Sequence, residues 1–578
     1  MPLYPFTPAV QARLQQRLTF LYGEQQALQT LHRVQTILGT YESEVDKRDG
    51  KRLTEKDIVL ITYPDQLRAP GESPLKTLGQ FLTEYLEDLI TTVHLLPFYP
   101  YSSDDGFSVI DYRQVNPDFG DWNDIEWMGN HFKLMFDAVI NHISSKSDWM
   151  KHFMEGDPAY RDFFIQVDPN ADLSSVVRPR DLPLLTRFQK NHGEIRLWTT
   201  FSADQIDLNY ANPQVLLEII DLLLYYIRRG ASIIRLDAIA FLWKEIGTTC
   251  IHLPQTHQIV KLMRDILDEI APHVLLLTET NVPHQENLSY FGDGQDEAHM
   301  VYQFALPPLI LHTITTGDAT HLTEWAAMLE RPSQDVTFFN FTASHDGIGV
   351  RPARGILSES EIDRLISLTE SRGGGVSYRR LEVHGRQAYE LNINYFNVMN
   401  DPSEIADQPE RAVARFLCSQ AIMLTFPGLP AIYFHSLFGS RNDPKGVERT
   451  GHLRSINREK YLREPFEDEL MQGESIRHQV FHGYKKLLQV RRSHDAFDPW
   501  GEHDVLRVQP GIFCNLRQSP DDRRRILCLH EVSGKGQMLN LRLKRPPSGP
   551  TQDLLNAETI DLTNIQMRPY QVRWIQLD

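Results

Sequence analysis

The chain of 578 residues has only four cysteines, Cys250, Cys418, Cys514 and Cys528, with no CxxC pair among them. This spacing excludes a disulfide framework and a cysteine zinc site, and it fits thiols kept reduced. Nowhere do about 18 apolar residues follow one another, so no segment reads as a membrane span. The start, MPLYPFTPAVQARLQQ, lacks the apolar core of a secretory signal. Positive charge is also short: 59 Lys and Arg stand against 76 Asp and Glu, a formal net charge of −17. Such a field repels nucleic acid and anionic membrane, so any small anion must be held by a local cluster of arginines. No GxGxxG or GxxxxGK(S/T) follows a predicted strand, which counts against a nucleotide-binding sheet. These absences predict a cytoplasmic protein, monomer or homodimer, acting on small molecules with no nucleic-acid or membrane partner.

What is present is a series of short apolar runs. Residues 1–56 come first and read as a helical N-terminal extension. Leu14, Leu18 and Leu21 repeat at helical spacing, as do Ala27, Leu31, Val34 and Leu38 after Gly23. A polar stretch, SEVDKRDGKRLTEKD, follows as a linker or surface loop. From Asp57 onward come DIVLITYPD (57–65), TTVHLLPFYP (91–100), FKLMFDAVINH (132–142), ASIIRLD (231–237), HVLLLTET (273–280), the weaker MVYQFAL (300–306), DVTFFNFTASHD (335–346) and LPAIYFHS (429–436). Amphipathic segments such as 213–230 and 257–271 lie between them. Strands buried on both faces and alternating with helices point to a parallel sheet. Eight of them suggest a (β/α)8 TIM barrel; an open doubly wound sheet is the alternative. The gap from His142 to Gly230 is too long for one crossover and predicts a small inserted domain after strand 3. The expected organisation is an α/β chain with a helical extension (1–56), the barrel (57–142 and 207–485), the inserted domain (143–206) and a C-terminal β domain (486–578).

The strand 231–237 carries Arg235 and Asp237, two apart and therefore on one face. Charges inside an apolar run are paired or used. In a barrel the C-terminal strand ends form the catalytic mouth, where this logic also places Asp137 to His142, Glu279, His345 and Asp346. Retaining glycoside chemistry needs one ionised carboxylate as nucleophile and one protonated carboxyl as acid/base. Asp237 beside Arg235 is expected to stay ionised, and Glu279, ending an apolar strand, to have a raised pKa. Asp346 suits a role in holding sugar hydroxyls and favouring an oxocarbenium-like transition state. Seen singly, Arg-x-Asp reads as a structural ion pair, the glutamate as a helix cap and His-Asp as a loop hydrogen bond.

With DAVINH (137–142), IIRLDA (233–238), LTET (277–280) and ASHD (343–346) in this order, the sequence resembles glycoside hydrolase family 13, the α-amylase family. The resemblance implies Asp237 as nucleophile, Glu279 as acid/base and Asp346 as transition-state stabiliser. DDGF (104–107), RLDAIAFLWKEIGTTC (235–250), FALPPLILH (304–312), SHDGIGV (344–350) and INR (456–458) are similar to the sucrose phosphorylase subfamily. That similarity implies a glucose site lined by Asp104, Phe107, His142, Phe201, Arg235, His345 and Arg454. It further implies phosphate binding by Arg180 and a mobile acceptor loop carrying Tyr389. Asn141 matches a calcium ligand of amylases, a metal this subfamily generally lacks, so no metal is expected. No cofactor is implied either; inorganic phosphate is a co-substrate. Residues 1–56, Glu390 in place of Gln, the pair Arg351 and Arg354, and GGGVSYR (373–379) depart from sucrose phosphorylases and resemble the glucosylglycerate phosphorylases. The expected activity is retaining transfer of glucosyl from glucosylglycerate to phosphate. Arg351 and Arg354 would hold the acceptor carboxylate, and Glu390 would accept from its hydroxyls. A sucrose phosphorylase, an α-glucosidase and a non-catalytic transporter-type subunit are the alternatives.

Overall fold

The computed structural model describes residues 3–45, 53–190, 193–381 and 385–578; residues 46–52 of the predicted linker lie outside the described residues. Eight short parallel strands close into a barrel: β1 (Val59–Thr62), β2 (Thr92–Leu95), β3 (Lys133–Ala138), β4 (Ala231–Leu236), β5 (Leu275–Thr278), β6 (Met300–Tyr302), β7 (Thr337–Asn340) and β8 (Leu429–Tyr433). Each strand pairs with its sequence neighbours, and β8 closes on β1. Each of the eight apolar runs supplies one strand, because a strand wrapped by helices outside and packed side chains inside has no wet face. The register sets Asp137 opposite Arg235 and Leu236 opposite Thr278, so the strand ends rise to a common rim.

The N-terminal helices α1 (Pro8–Tyr22) and α2 (Glu24–Tyr41) meet at Gly23, whose φ of 77° breaks one helix from the next. Thr7 caps α1, its hydroxyl accepting from Val10 N. All seven apolar residues picked out by helical spacing are buried. Their partners are the barrel helices α3 (Pro213–Arg228) and α4 (Pro254–Ile270). Arg13 and Arg17 reach Asp265 of α4 at 3.1 and 2.6 Å, and Tyr22 Oη donates to Tyr210 O at 3.0 Å. Burying a leucine is worth roughly 1.5–3 kcal/mol, so the extension is part of the core rather than a tail.

After β3, strand His142–Ser144 pairs antiparallel with Gln205–Asp207 and so returns the inserted segment to the barrel. Between these strands lie helix Asp148–Glu155 and the hairpin Leu185–Lys190 with Gly193–Trp198. At the other end of the chain, helix Ile476–Arg492 runs past residue 486, the expected start of the C-terminal β domain. Beyond it a six-stranded sheet begins at His503–Val505 and contains Ile512–Gln518, Arg525–Glu531 and Val572–Gln576. The four cysteines are free and buried. No described helix is long and apolar enough to cross a membrane.

Candidate active site

Arg235 is 2% exposed, and its guanidinium is shared between two carboxylates. Nη1 donates to Asp237 Oδ1 at 2.8 Å and also to Asp137 of the adjacent strand. Asp137 accepts a further contact from His94 Nε2 at 2.7 Å. Burial acts to raise the Asp137 carboxyl, but Arg235 and His94 outweigh it and hold it below its ordinary value. Arg235 at the end of β4 and Asp237 just beyond it thus belong to a buried Asp–Arg–Asp row, of which Asp237 lines the cavity and Arg235 does not.

Asp237, Glu279 and Asp346 line one cavity. Directly after Asp237 the backbone turns left-handed at Ala238 (φ 50°), and Ala238 N donates to Glu279 Oε2 at 3.1 Å. Burial, with the charges of Asp237 and Asp346 adding to it, pushes Glu279 up to about 7. Burial raises the Asp237 carboxyl above the ordinary aspartate value, although Arg235 and then His142 work against that. The order of the two still follows from contact, since Asp237 has a guanidinium at 2.8 Å and Glu279 a neutral amide. Of the two, Glu279 therefore keeps the proton. Asp346 is set the other way. Burial opposes ionisation, but Arg454 at 2.6 Å, His345 and Arg458 hold it well below the carboxylate range.

The sugar-facing candidates surround these carboxyls. Asp104, Phe107, His142, Phe201, His345 and Arg454 line the same cavity. The Phe107 ring stacks on His345 with centroids 4.7 Å apart and 5° between planes. His142 Nε2 lies 2.9 Å from Phe107 O. The candidates for the phosphate and acceptor, Arg180, Tyr389, Glu390 and Arg351, line the cavity as well. The Arg180 guanidinium sits over the Tyr389 ring, 5.8 Å from its centroid. Tyr389 and Glu390 come from a hairpin, Gly375–Leu381 with Gly385–Asn392. Glu390 does not stand free as a carboxylate, because Arg454 pairs with both its oxygens, Nε to Oε2 at 3.0 Å and Nη2 to Oε1, and leaves each oxygen one further acceptor site. One expectation needs correcting here. Arg354 does not line the cavity; its guanidinium is drawn to Glu359, its neighbour five residues on. Arg351 does line it and is only loosely paired, 3.5 Å from Glu286.

Residues 80–350 match the family described as alpha amylase, catalytic domain. Over 97% of its length the chain is 48% identical to a glucosylglycerate phosphorylase of Spirochaeta thermophila, spanning 98% of that protein. It is 51% identical to one from Allomeiothermus silvanus, over 86% of this chain and 89% of the relative. The chain belongs to the α-amylase family. Within it the chain groups with glycoside phosphorylases, and a sucrose phosphorylase of Streptococcus mutans is more distant at 29% identity over 80% of this chain and 93% of the relative. The crystal structure of a sucrose 6F-phosphate phosphorylase from Thermoanaerobacter thermosaccharolyticum shares the fold, with a TM-score of 0.73 at 24% identity, covering 89% of this chain and 99% of that one.

An α-amylase-family chain raises the question of calcium at Asn141. Here Asn141 Oδ1 accepts from Lys244 Nζ at 2.9 Å, and the same ammonium pairs with Asp207 Oδ2 at 2.6 Å. Thr200 donates to Asp207 through its backbone N at 2.7 Å and its hydroxyl at 2.6 Å. A buried ammonium already neutralises these oxygens, so a divalent cation does not fit beside it. Lys244 stands in the quoted stretch 235–250, yet no local pattern marks it as the partner of Asp207. Gln205 was also missed. It lines the cavity, and its Nε2 donates to Phe107 O at 3.1 Å.

Proposed function

We propose that the protein is a retaining glucosylglycerate phosphorylase, a glycosyltransferase that yields α-D-glucose 1-phosphate and glycerate. Asp237 attacks the anomeric carbon while Glu279 passes its proton to the departing glycerate oxygen. The C1–O bond breaks and a β-glucosyl ester on Asp237 forms. Phosphate then attacks C1 from the face that glycerate left, Glu279 takes up a phosphate proton, and the ester bond breaks. Two inversions leave the α configuration. Asp346, held ionised, sits where positive charge develops on the sugar. Of the protein's own features, one carries this reading: Arg180 and Arg351 line the cavity that holds Asp237 and Glu279. A guanidinium suits a carboxylate or phosphate and has no matching anion in fructose. The names of relatives at 45–51% identity agree with it. Phosphate serves as co-substrate and no cofactor takes part. The partners are small molecules, and we place the enzyme in the cytoplasm.

A panel of glucosides incubated with phosphate and scored for glucose 1-phosphate tests this reading. Glucosylglycerate is expected to give the highest kcat/KM. Faster turnover of sucrose identifies a sucrose phosphorylase, and release of free glucose at the same rate with or without phosphate identifies a hydrolase.

A further inference from the structure

We propose that Asp204 is a positioning residue for glucose recognition. It holds the loop 102–108 in the shape that presents Asp104 and Phe107 to the glucosyl unit. Its role presupposes the glucosyl site proposed above. Asp204 belongs to the inserted segment, immediately before strand Gln205–Asp207. Its Oδ2 accepts from the hydroxyls of Ser102 and Ser103, each at 2.5 Å, and of Ser108 at 2.8 Å. Its Oδ1 accepts from Ser145 at 2.6 Å. The Asp204 carbonyl accepts in addition from Ser145 N at 2.9 Å. Three of the four hydroxyls bracket the residues that face the cavity.

The loop needs such a restraint. Asp104, Asp105 and Gly106 follow one another with φ of 53°, 47° and 110°. Two consecutive non-glycine residues in the left-handed region persist only where the surroundings over-determine them. One restraint comes from the barrel side, where Arg458 Nη1 reaches Asp105 at 2.6 Å. The other comes from the inserted segment, where Asp204 grips the serines on both flanks and the adjoining Gln205 grips the Phe107 carbonyl. Only an ionised carboxylate can accept four hydroxyls through two oxygens. Burial works against its charge, but the hydroxyls of Ser102, Ser103, Ser145 and Ser108 prevail and hold it below the ordinary aspartate range.

The test is Asp204→Asn, with Ser103→Ala as a milder variant that deletes one donor and leaves Asp204 intact. The substrate is α-glucosyl fluoride with phosphate, which loads the glucosyl site without glycerate. D-Glucose inhibition is measured in parallel. An amide has one acceptor oxygen, so Asp204→Asn is expected to raise the KM for the fluoride and the Ki for glucose about tenfold. Ser103→Ala should raise both about twofold to threefold. The phosphate KM should stay within about twofold of wild type for both variants. A role in folding alone would lower Tm and leave KM and Ki unchanged, and that result overturns the proposal. If Asp204→Asn does not fold, unchanged KM and Ki in Ser103→Ala overturn it. A wild type that turns over the fluoride but not glucosylglycerate leaves the positioning role standing while removing glycerate as acceptor.

Discussion

Replacing Arg351 with alanine is expected to weaken glucosylglycerate and spare its uncharged counterpart, glucosylglycerol. The side chain is 14% exposed, and Glu286, the carboxylate paired with it among the described residues, lies 3.5 Å away. That contact is too long to be a strong hydrogen bond, so the guanidinium is only loosely engaged. A hydrogen bond to a charged group contributes about 1.5–3 kcal/mol, which corresponds to an increase of about 10- to 150-fold in KM. Arg354 is the internal control. It carries the same charge three residues on, but it is tied to Glu359, which is 70% exposed, and it does not line the cavity. Because it does not reach the substrate cavity, Arg354→Ala should leave KM within about twofold of wild type. The assay is initial-rate formation of glucose 1-phosphate at saturating phosphate, with glucosylglycerate and glucosylglycerol compared for both variants. Equal effects of the two substitutions, or an equal loss of both substrates in Arg351→Ala, would refute carboxylate recognition by Arg351.

Two further outcomes follow from the buried charges. On the proposed mechanism Glu279 works first as an acid, and its pKa is raised to about 7, so the proton is present below that pH and lost above it. kcat/KM for glucosylglycerate should therefore fall as pH rises through about 7. Glu279→Gln should remove that limb and retain glucosylation by α-glucosyl fluoride, whose leaving group needs no proton; an unchanged alkaline limb would show that another group sets it. The acid limb belongs to Asp237, which must lose its proton to attack, and it should lie above the ordinary aspartate range because burial raises this carboxyl. Lys244→Met should cost about 3–5 kcal/mol in denaturant unfolding, since it strands a charge on fully buried Asp207. A loss below about 1 kcal/mol would mean that the threonine contacts suffice.

The sequence reveals the barrel because its strands obey a local rule. A strand with no wet face must be apolar end to end, and all eight such runs are strands. The same rule exposes Arg235 and Asp237, since a charge in such a run has to have a purpose. The N-terminal helices were legible from the spacing of Leu14, Leu18 and Leu21, though nothing in that spacing names α4 as the surface they cover. What stayed hidden is which charge meets which. Glu390 and Arg454 are 64 residues apart, and Lys244 and Asn141 are 103 apart. These meetings depend on how loops cross the barrel rim, and no periodicity encodes that. Arg351 and Arg354 show the limit most sharply. They look equivalent in sequence, but the short 3-10 turn Arg351–Ala353 brings one to the cavity and sends the other to Glu359.

The pairing of charges also explains why the site takes anions in a protein of net charge −17. Behind the cavity wall Arg235 is spent on Asp137 and Asp237. On the sugar side Arg454 is spent on Asp346 and Glu390. Neither guanidinium has charge left over for a substrate. Glu279 keeps its proton up to about pH 7 and adds no negative charge below that. Elsewhere on the cavity wall, among the described residues, Arg180 faces a neutral ring and Arg351 pairs with the distant Glu286. An incoming anion therefore completes the local balance and does not compete with an existing pair. Glycerate and phosphate each meet that need, and each satisfies it for the other. Both must also approach the same face of C1, one leaving and one arriving. On the proposed reaction the two anions thus occupy one place in turn, and glycerate must depart before phosphate can enter. The glucosyl group must wait on the protein in the interval, which is the task of Asp237.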